Sequence, residues 1–149
     1  MHLPKARIAA ILASPEDTEQ QFYEALQQAD LGRLMAVWSD EEESSCVHPG
    51  GPRLVGLGAI RDSFAAMLAH GAIAIEPTSV RRLQTSDTAI HQVMECLQLE
   101  SPAGQTSAWV IATNVYLKTT MGWRMVVHHT SIGSADAVPE VTETPAILH

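Results

Sequence analysis

The sequence predicts an α+β domain in which three N-terminal helices pack across a cone-shaped, curved antiparallel sheet. Three observations carry this expectation. Apolar residues recur at helical spacing only in the first half of the chain. After Gly71 the pattern changes to alternation with β-branched residues, and the later segments are long and separated by short turns. Helices first and a strand meander afterwards indicate segregated α+β architecture rather than a parallel α/β sheet.

The first helix starts at Ser14-Pro15-Glu16-Asp17. Serine caps, proline is pre-set for the first turn, and the acids sit where the helix dipole favours negative charge. Its apolar stripe is Phe22, Ala25, Leu26 and Ala29. Asp30 caps a second helix, where Leu31, Leu34, Met35 and Trp38 fall at i, i+3, i+4 and i+7. The acidic run Asp40 to Glu43 ends it as a solvated turn. A short strand from Ser45 to His48 is stopped by Pro49-Gly50-Gly51. A third helix follows, about Gly58 to His70, with Ile60, Phe64, Met67 and Leu68 on one face and Gly71 closing it.

Ile73 and Ile75 then alternate before Pro77, and Thr78 to Leu83 continues as an edge strand, the position where a proline is tolerated. Thr88 to Glu100 and Thr106 to Thr119 form two long strands joined by Ser-Pro-Ala-Gly. Thr-Thr-Met-Gly turns into a last strand, Trp123 to Ser131. The expected organisation is a helical extension over 1–13, one domain over 14–133 and a flexible tail over 134–149.

The bulk numbers exclude several classes. The chain has 149 residues, 46% of them hydrophobic, and suits one globular domain. Nine Lys and Arg against seventeen Asp and Glu give a net charge of −8, which argues against nucleic acid. No apolar run approaches the roughly 18 residues needed to cross a bilayer. Cys46 and Cys96 lie far apart without a C-x-x-C pattern, as expected of reduced thiols in the cytoplasm. Seven histidines raise the question of a metal. However, His91 and Glu95 on one strand would be separated by about 13 Å between Cα atoms, and no H-x-H or H-E-x-x-H spacing occurs. Neither a phosphate-binding loop of the G-x-x-x-x-G-K kind nor a G-x-S-x-G elbow is present. No metal and no cofactor is predicted.

Three stretches in this order, "FYEALQQADLGRLMAVWSD", "HPGG" with "LVGLGAIRDSF", and "GWRMVVHHTS", resemble the nuclear transport factor 2-like superfamily. Within it the chain is similar to the SnoaL-like and ketosteroid isomerase-like proteins, over about Ser14 to Gly133. The resemblance implies the cystatin-like, nuclear transport factor 2-like fold. It leaves function open, because that fold hosts isomerases, cyclases, dehydratases and catalytically silent dimerisation modules.

In the isomerase branch an aspartate before a proline, at the end of the first short strand, takes a proton from the carbon next to a carbonyl. Here that place is His48, and a neutral imidazole is a competent base. The branch also uses a tyrosine on the first helix and a protonated aspartate on a late strand to hold the enolate oxygen. By the resemblance these fall on Phe22 and about Thr113, with Tyr23 turned about 100° away and Asn114 on the opposite face. Steroid isomerase activity is therefore not expected.

Alternation along the strands supplies the remaining lining. If Thr113 faces inward, so do Trp109, Ile111 and Val115, and the matching positions are His91, Val93 and Glu95 on the preceding strand and Val127 and His129 on the last. A slip of one residue would exchange His129 for His128. The predicted cavity is apolar (Phe22, Trp38, Val93, Trp109, Ile111, Val127), with His48, His91, Glu95, Thr113 and His129 as polar points. It suits a small, mostly apolar organic ligand bearing a carbonyl or hydroxyl. If the chain is an enzyme, His48 is the base or acid, His91 and Glu95 tune or relay protons, and Thr113 and His129 orient the ligand. The alternatives are a turn-holding role for His48, a structural His91–Glu95 pair, and a non-catalytic ligand-binding or dimerisation module. A homodimer through the outer sheet face is expected, because that face otherwise stays uncovered.

Overall fold

The computed structural model describes residues 12–133 and 139–143. The expected N-terminal extension therefore lies outside the described residues except for Leu12 and Ala13, and the expected tail except for 139–143.

Three helices come first, as the sequence predicts. Helix α1, Pro15–Gln27, is capped by Ser14, whose Oγ accepts from the Asp17 amide at 3.1 Å. Helix α2, Leu31–Ala36, is capped by Asp30, whose carboxylate accepts from the Arg33 amide at 3.0 Å. Helix α3 spans Leu57–Leu68; its N-cap is Gly56, whose φ of 91° explains the glycine there. All three end a little earlier than their apolar periodicity suggests.

The strands are β1 (Ser45–Val47), β2 (Arg53–Val55), β3 (Ile75–Gln84), β4 (Thr88–Ser101), β5 (Gly104–Thr119) and β6 (Gly122–Ile132). They form one sheet in the order β2-β1-β6-β5-β4-β3. Two features go beyond the sequence expectation. The segment after Pro49-Gly50-Gly51 returns as strand β2, pairing Val47 with Arg53. Strand β1 runs parallel to β6, so one pairing in an otherwise antiparallel sheet is parallel. Pro77 lies in edge strand β3 as predicted, just before an irregularity where Ser79 takes a positive φ of 47°.

The helices cover one face of the sheet. Phe22, Ala25 and Leu26 of α1, Leu34 of α2, and Ile60 and Phe64 of α3 are buried against Val93, Ala112, Tyr116 and Met125. Full burial of such side chains contributes roughly 1.5–3 kcal/mol each. Phe22 and Phe64 meet edge to face at 6.0 Å between ring centroids, fixing the angle between two helices under the sheet.

Candidate functional site

Alternation along the long strands decides which polar groups enter the interior. On β4 the inward residues are Ala89, His91, Val93 and Glu95, all buried. On β5 they are Val110, Ala112, Asn114 and Tyr116. Strand β6 starts with Trp123 and Met125 inward. Val115 then pairs with Val127 while Tyr116 pairs with Met125, which leaves Val126 as the extra residue of a β-bulge. The bulge changes the phase of the strand, so His128 and Thr130 are buried while His129 is exposed.

Helix α1 contributes Tyr23 to the same layer. The Tyr23 hydroxyl donates to Glu95 Oε2 at 2.7 Å and accepts from Asn114 Nδ2 at 3.1 Å. Asn114 Oδ1 lies 2.6 Å from His128 Nδ1. These directions fix the chemistry of both ends. His128 must carry its proton on Nδ1, which leaves Nε2 as a free acceptor. Glu95 receives Tyr23 on Oε2, so a proton taken up by the carboxyl sits on Oε1. Neither Glu95 Oε1 nor His128 Nε2 has a hydrogen-bond partner among the described residues.

Burial sets the protonation states. Desolvation pushes the Glu95 carboxyl up to about 7, opposed by the Tyr23 hydrogen bond and reinforced by the nearby Glu19 charge. Desolvation drives His128 down to about 3, with the neighbouring His48 and His129 adding to the effect. Burial also lowers His48. The interior therefore offers neutral imidazoles and a carboxyl poised between its two states at neutral pH.

A cavity of about 80 Å³ adjoins this line, with Glu95, His128, His48 and Thr130 as its polar points. Leu26, Phe64, Ile73, Ile75 and Val110 are its apolar walls, and Pro49 and Met67 stand at its exposed side. His48 reaches it from the end of β1, with its Nε2 on Ser63 Oγ of α3 and its ring edge-to-face with Phe64 at 5.0 Å. Cys46 Sγ lies 3.8 Å from the same nitrogen, but burial pushes that thiol up to about 12, so it stays protonated.

Of the three expected catalytic residues, His48 and Glu95 line the cavity and His91 does not. His91 is fully buried further along β4, against α1. Its Nδ1 lies 2.8 Å from Glu19 Oε2, which also accepts from the Tyr116 hydroxyl at 2.7 Å. The Glu16 carboxylate stands 3.2 Å from His91 Nε2 but off the hydrogen-bond direction. Phe22, Trp38 and Val93 are buried core residues that do not line the cavity.

Trp109, Ile111 and Thr113 correct the expectation: they lie on the outer face of β5, one residue out of phase with the buried set. Val127 and His129 lie on the outer face of β6 as a result of the bulge. Tyr23 and Asn114, which the sequence places away from the site, are joined by the structure to Glu95. Tyr23 was open to detection, because Glu16, Glu19 and Tyr23 at i, i+3 and i+7 form a polar stripe on α1. Among the described residues no group of three or more His, Cys, Asp or Glu side chains is arranged to hold a metal ion. No helix among them is long and apolar enough to cross a membrane.

The SnoaL-like domain family matches residues 16–135. A structure described as a candidate calcium/calmodulin-dependent protein kinase type II association domain, from Thiobacillus denitrificans, is 31% identical with a TM-score of 0.75, covering 83% of this chain and 98% of the other. A candidate dehydratase of the NTF2-like family from Streptomyces avermitilis is also 31% identical, with a TM-score of 0.71 over 79% of this chain and 93% of the other. A ketosteroid isomerase-like protein from Erwinia carotovora atroseptica is 19% identical, with a TM-score of 0.64 over 85% and 96% of the two chains, and supports the fold alone. No relative matches among curated proteins. The order of helices and strands, the curved sheet and these matches agree: the chain belongs to the SnoaL-like domain family of the nuclear transport factor 2-like superfamily.

Proposed function

We propose that this protein is a general acid–base enzyme that moves a proton beside a carbonyl in a small, mostly apolar molecule, in an isomerase, cyclase or dehydratase type of reaction. One observation carries the reading: Glu95 lines an apolar cavity with one carboxyl oxygen free, and burial brings its pKa to about 7. Tyr23 holds the other oxygen, so the group that exchanges protons is fixed in position. In this reading the protonated Glu95 carboxyl donates to the carbonyl oxygen, the neutral His48 imidazole takes the proton from the adjacent carbon, His128 orients the ligand, and His91 with Glu19 braces α1 against the sheet. The candidate dehydratase from Streptomyces avermitilis is in keeping with a reaction of this type.

Solvent exchange tests the proposal. Butanone, acetylacetone and 1-hydroxypropan-2-one are incubated in D2O with protein, and loss of the α-proton signals is followed by NMR. At least one should exchange faster with the protein than with Glu95→Gln, along a pH profile with a midpoint near 7. Equal rates with both proteins for every ketone would overturn the assignment.

A second reading, self-association, is favoured by the apolar outer face, where Ile111, Val115 and Val127 are only half-buried and Ile90 is 37% exposed. The Thiobacillus denitrificans association domain supports it. We infer a homodimer through this face. Light scattering should give twice the chain mass, and Ile111→Glu should return it to the monomer value. The two free thiols, Cys46 and Cys96, support a cytoplasmic location for the protein.

A further inference from the structure

We propose that the cavity selects an uncharged ligand fragment that offers a carbonyl oxygen to Glu95 and a hydroxyl to His128, and that it excludes carboxylates and phosphates. The inference rests on the role of Glu95 given above and adds the chemical class of the ligand.

Three observations carry it. The chain of hydrogen bonds from His128 through Asn114 and Tyr23 to Glu95 has a single direction, so its two free ends differ. Protonated Glu95 presents a donor on Oε1, and His128 presents an acceptor on Nε2. A ligand that carries both a carbonyl and a hydroxyl answers that pair. Second, the residues lining the cavity include no lysine or arginine. An anion entering beside Glu95 would lose its water with no cation to replace it, which strongly disfavours binding. Third, the cavity, at about 80 Å³, is small beside ordinary ligand pockets, so it takes a small fragment only. The exposed Pro49 and Met67 edge leaves the remainder of a larger ligand outside.

The probes are 1-hydroxypropan-2-one and glycolate, which share a shape but differ by a methyl group in place of a charged oxygen. Each is titrated into the full chain at pH 6 and followed by backbone and imidazole NMR. The ketone should give saturable shifts at Glu95, Asn114 and His128, and glycolate at the same concentrations should give none. The groups facing Glu95 are Tyr23 and Glu19 from α1, Cys46 and His48 from the β1 end, and His128 from β6. His128 at about 3 and Cys46 at about 12 do not titrate near neutrality. Ionisation of Glu95 around 7 should therefore weaken ketone binding about tenfold between pH 6 and pH 8.

Glu95→Gln keeps an amide donor and should bind the ketone equally at both pH values. Three results would each overturn the proposal: glycolate binding as tightly as the ketone, pH-independent binding by the unmodified chain, or no saturable shift with the ketone. Failure here and failure of the proton-transfer reading are distinguishable. Glu95-dependent proton exchange without ketone selectivity removes only the ligand class. Selective ketone binding without exchange removes the enzyme and leaves the ligand class standing.

Discussion

Replacing Glu95 by glutamine should change how stability depends on pH, without any substrate being needed. The carboxyl is 3% exposed and burial raises it from 4.5 to about 7. A carboxyl raised on folding holds its proton longer in the native state than in the unfolded chain. Its contribution is complete below pH 4.5 and is lost as pH rises through 7. At about 1.4 kcal/mol per unit, this amounts to about 3 kcal/mol across the window. Glutamine keeps the shape and can still accept from Tyr23, but it does not titrate. The stability of Glu95→Gln minus that of the unmodified chain should therefore grow by about 3 kcal/mol from pH 4.5 to pH 8.5 and then level off. Urea unfolding followed by far-ultraviolet circular dichroism, at five pH values and one protein concentration, measures the difference directly. A difference that stays constant within about 0.5 kcal/mol would mean that Glu95 ionises freely inside the fold, and the account of the site would fail.

His128 acts in the opposite direction. Its folded pKa is depressed to about 3, so its contribution is present above 6.5 and is lost as pH falls; urea unfolding of His128→Gln should show a flatter acid limb. Between 4.5 and 6.5 the two slopes oppose each other, and each variant should unmask the other's. Tyr23→Phe removes a bond that lowers Glu95, so the carboxyl midpoint in a 13C NMR titration should move up, with a stability loss of about 1–3 kcal/mol. Cys46 should resist a disulfide reagent at pH 8 in the folded protein and react at once in urea, because its thiol is buried and pushed up to about 12. Ser14→Ala should cost about 1 kcal/mol in thermal or urea unfolding through loss of the bond to the Asp17 amide.

The helices were legible because their ends carry local chemistry: Ser14 and Asp30 cap through side chains adjacent in sequence to the turns they satisfy. The long strands were legible from composition and turns. Which side of each strand faces inward was harder to read. On β5 the buried set includes polar Asn114, while the outer set includes apolar Trp109, Ile111 and Val115, so neither parity stands out as the core side. The resemblance puts the inward position at Thr113, one residue from the buried Asn114, and Trp109 and Ile111 share its phase. On β6 the doublets Val126-Val127 and His128-His129 look alike in either phase, and a bulge depends on pairing with β5, which no local pattern records. His48 could be read from the turn that follows it, whereas His91 and Glu95 face inward although Thr113 does not, because Thr113 pairs with Gln92 and Asn114 with His91, so the slip on β5 and the slip in matching across to β4 cancel. The resemblance places the helix tyrosine at Phe22 and leaves Tyr23 about 100° away, yet both are buried, because the sheet wraps enough of α1 to take in two adjacent residues.

The extra residue at Val126 also decides which of two adjacent imidazoles the interior receives. Were β6 to slide by one position and absorb the bulge, His129 would move in as His128 moved out, and Val127 would follow to the inside. Deleting Val126 instead would straighten the strand and keep His128 where it is. The interior thus receives a nitrogen base under either pairing, and a slipped copy of this strand would differ in the identity of that residue but not in its type.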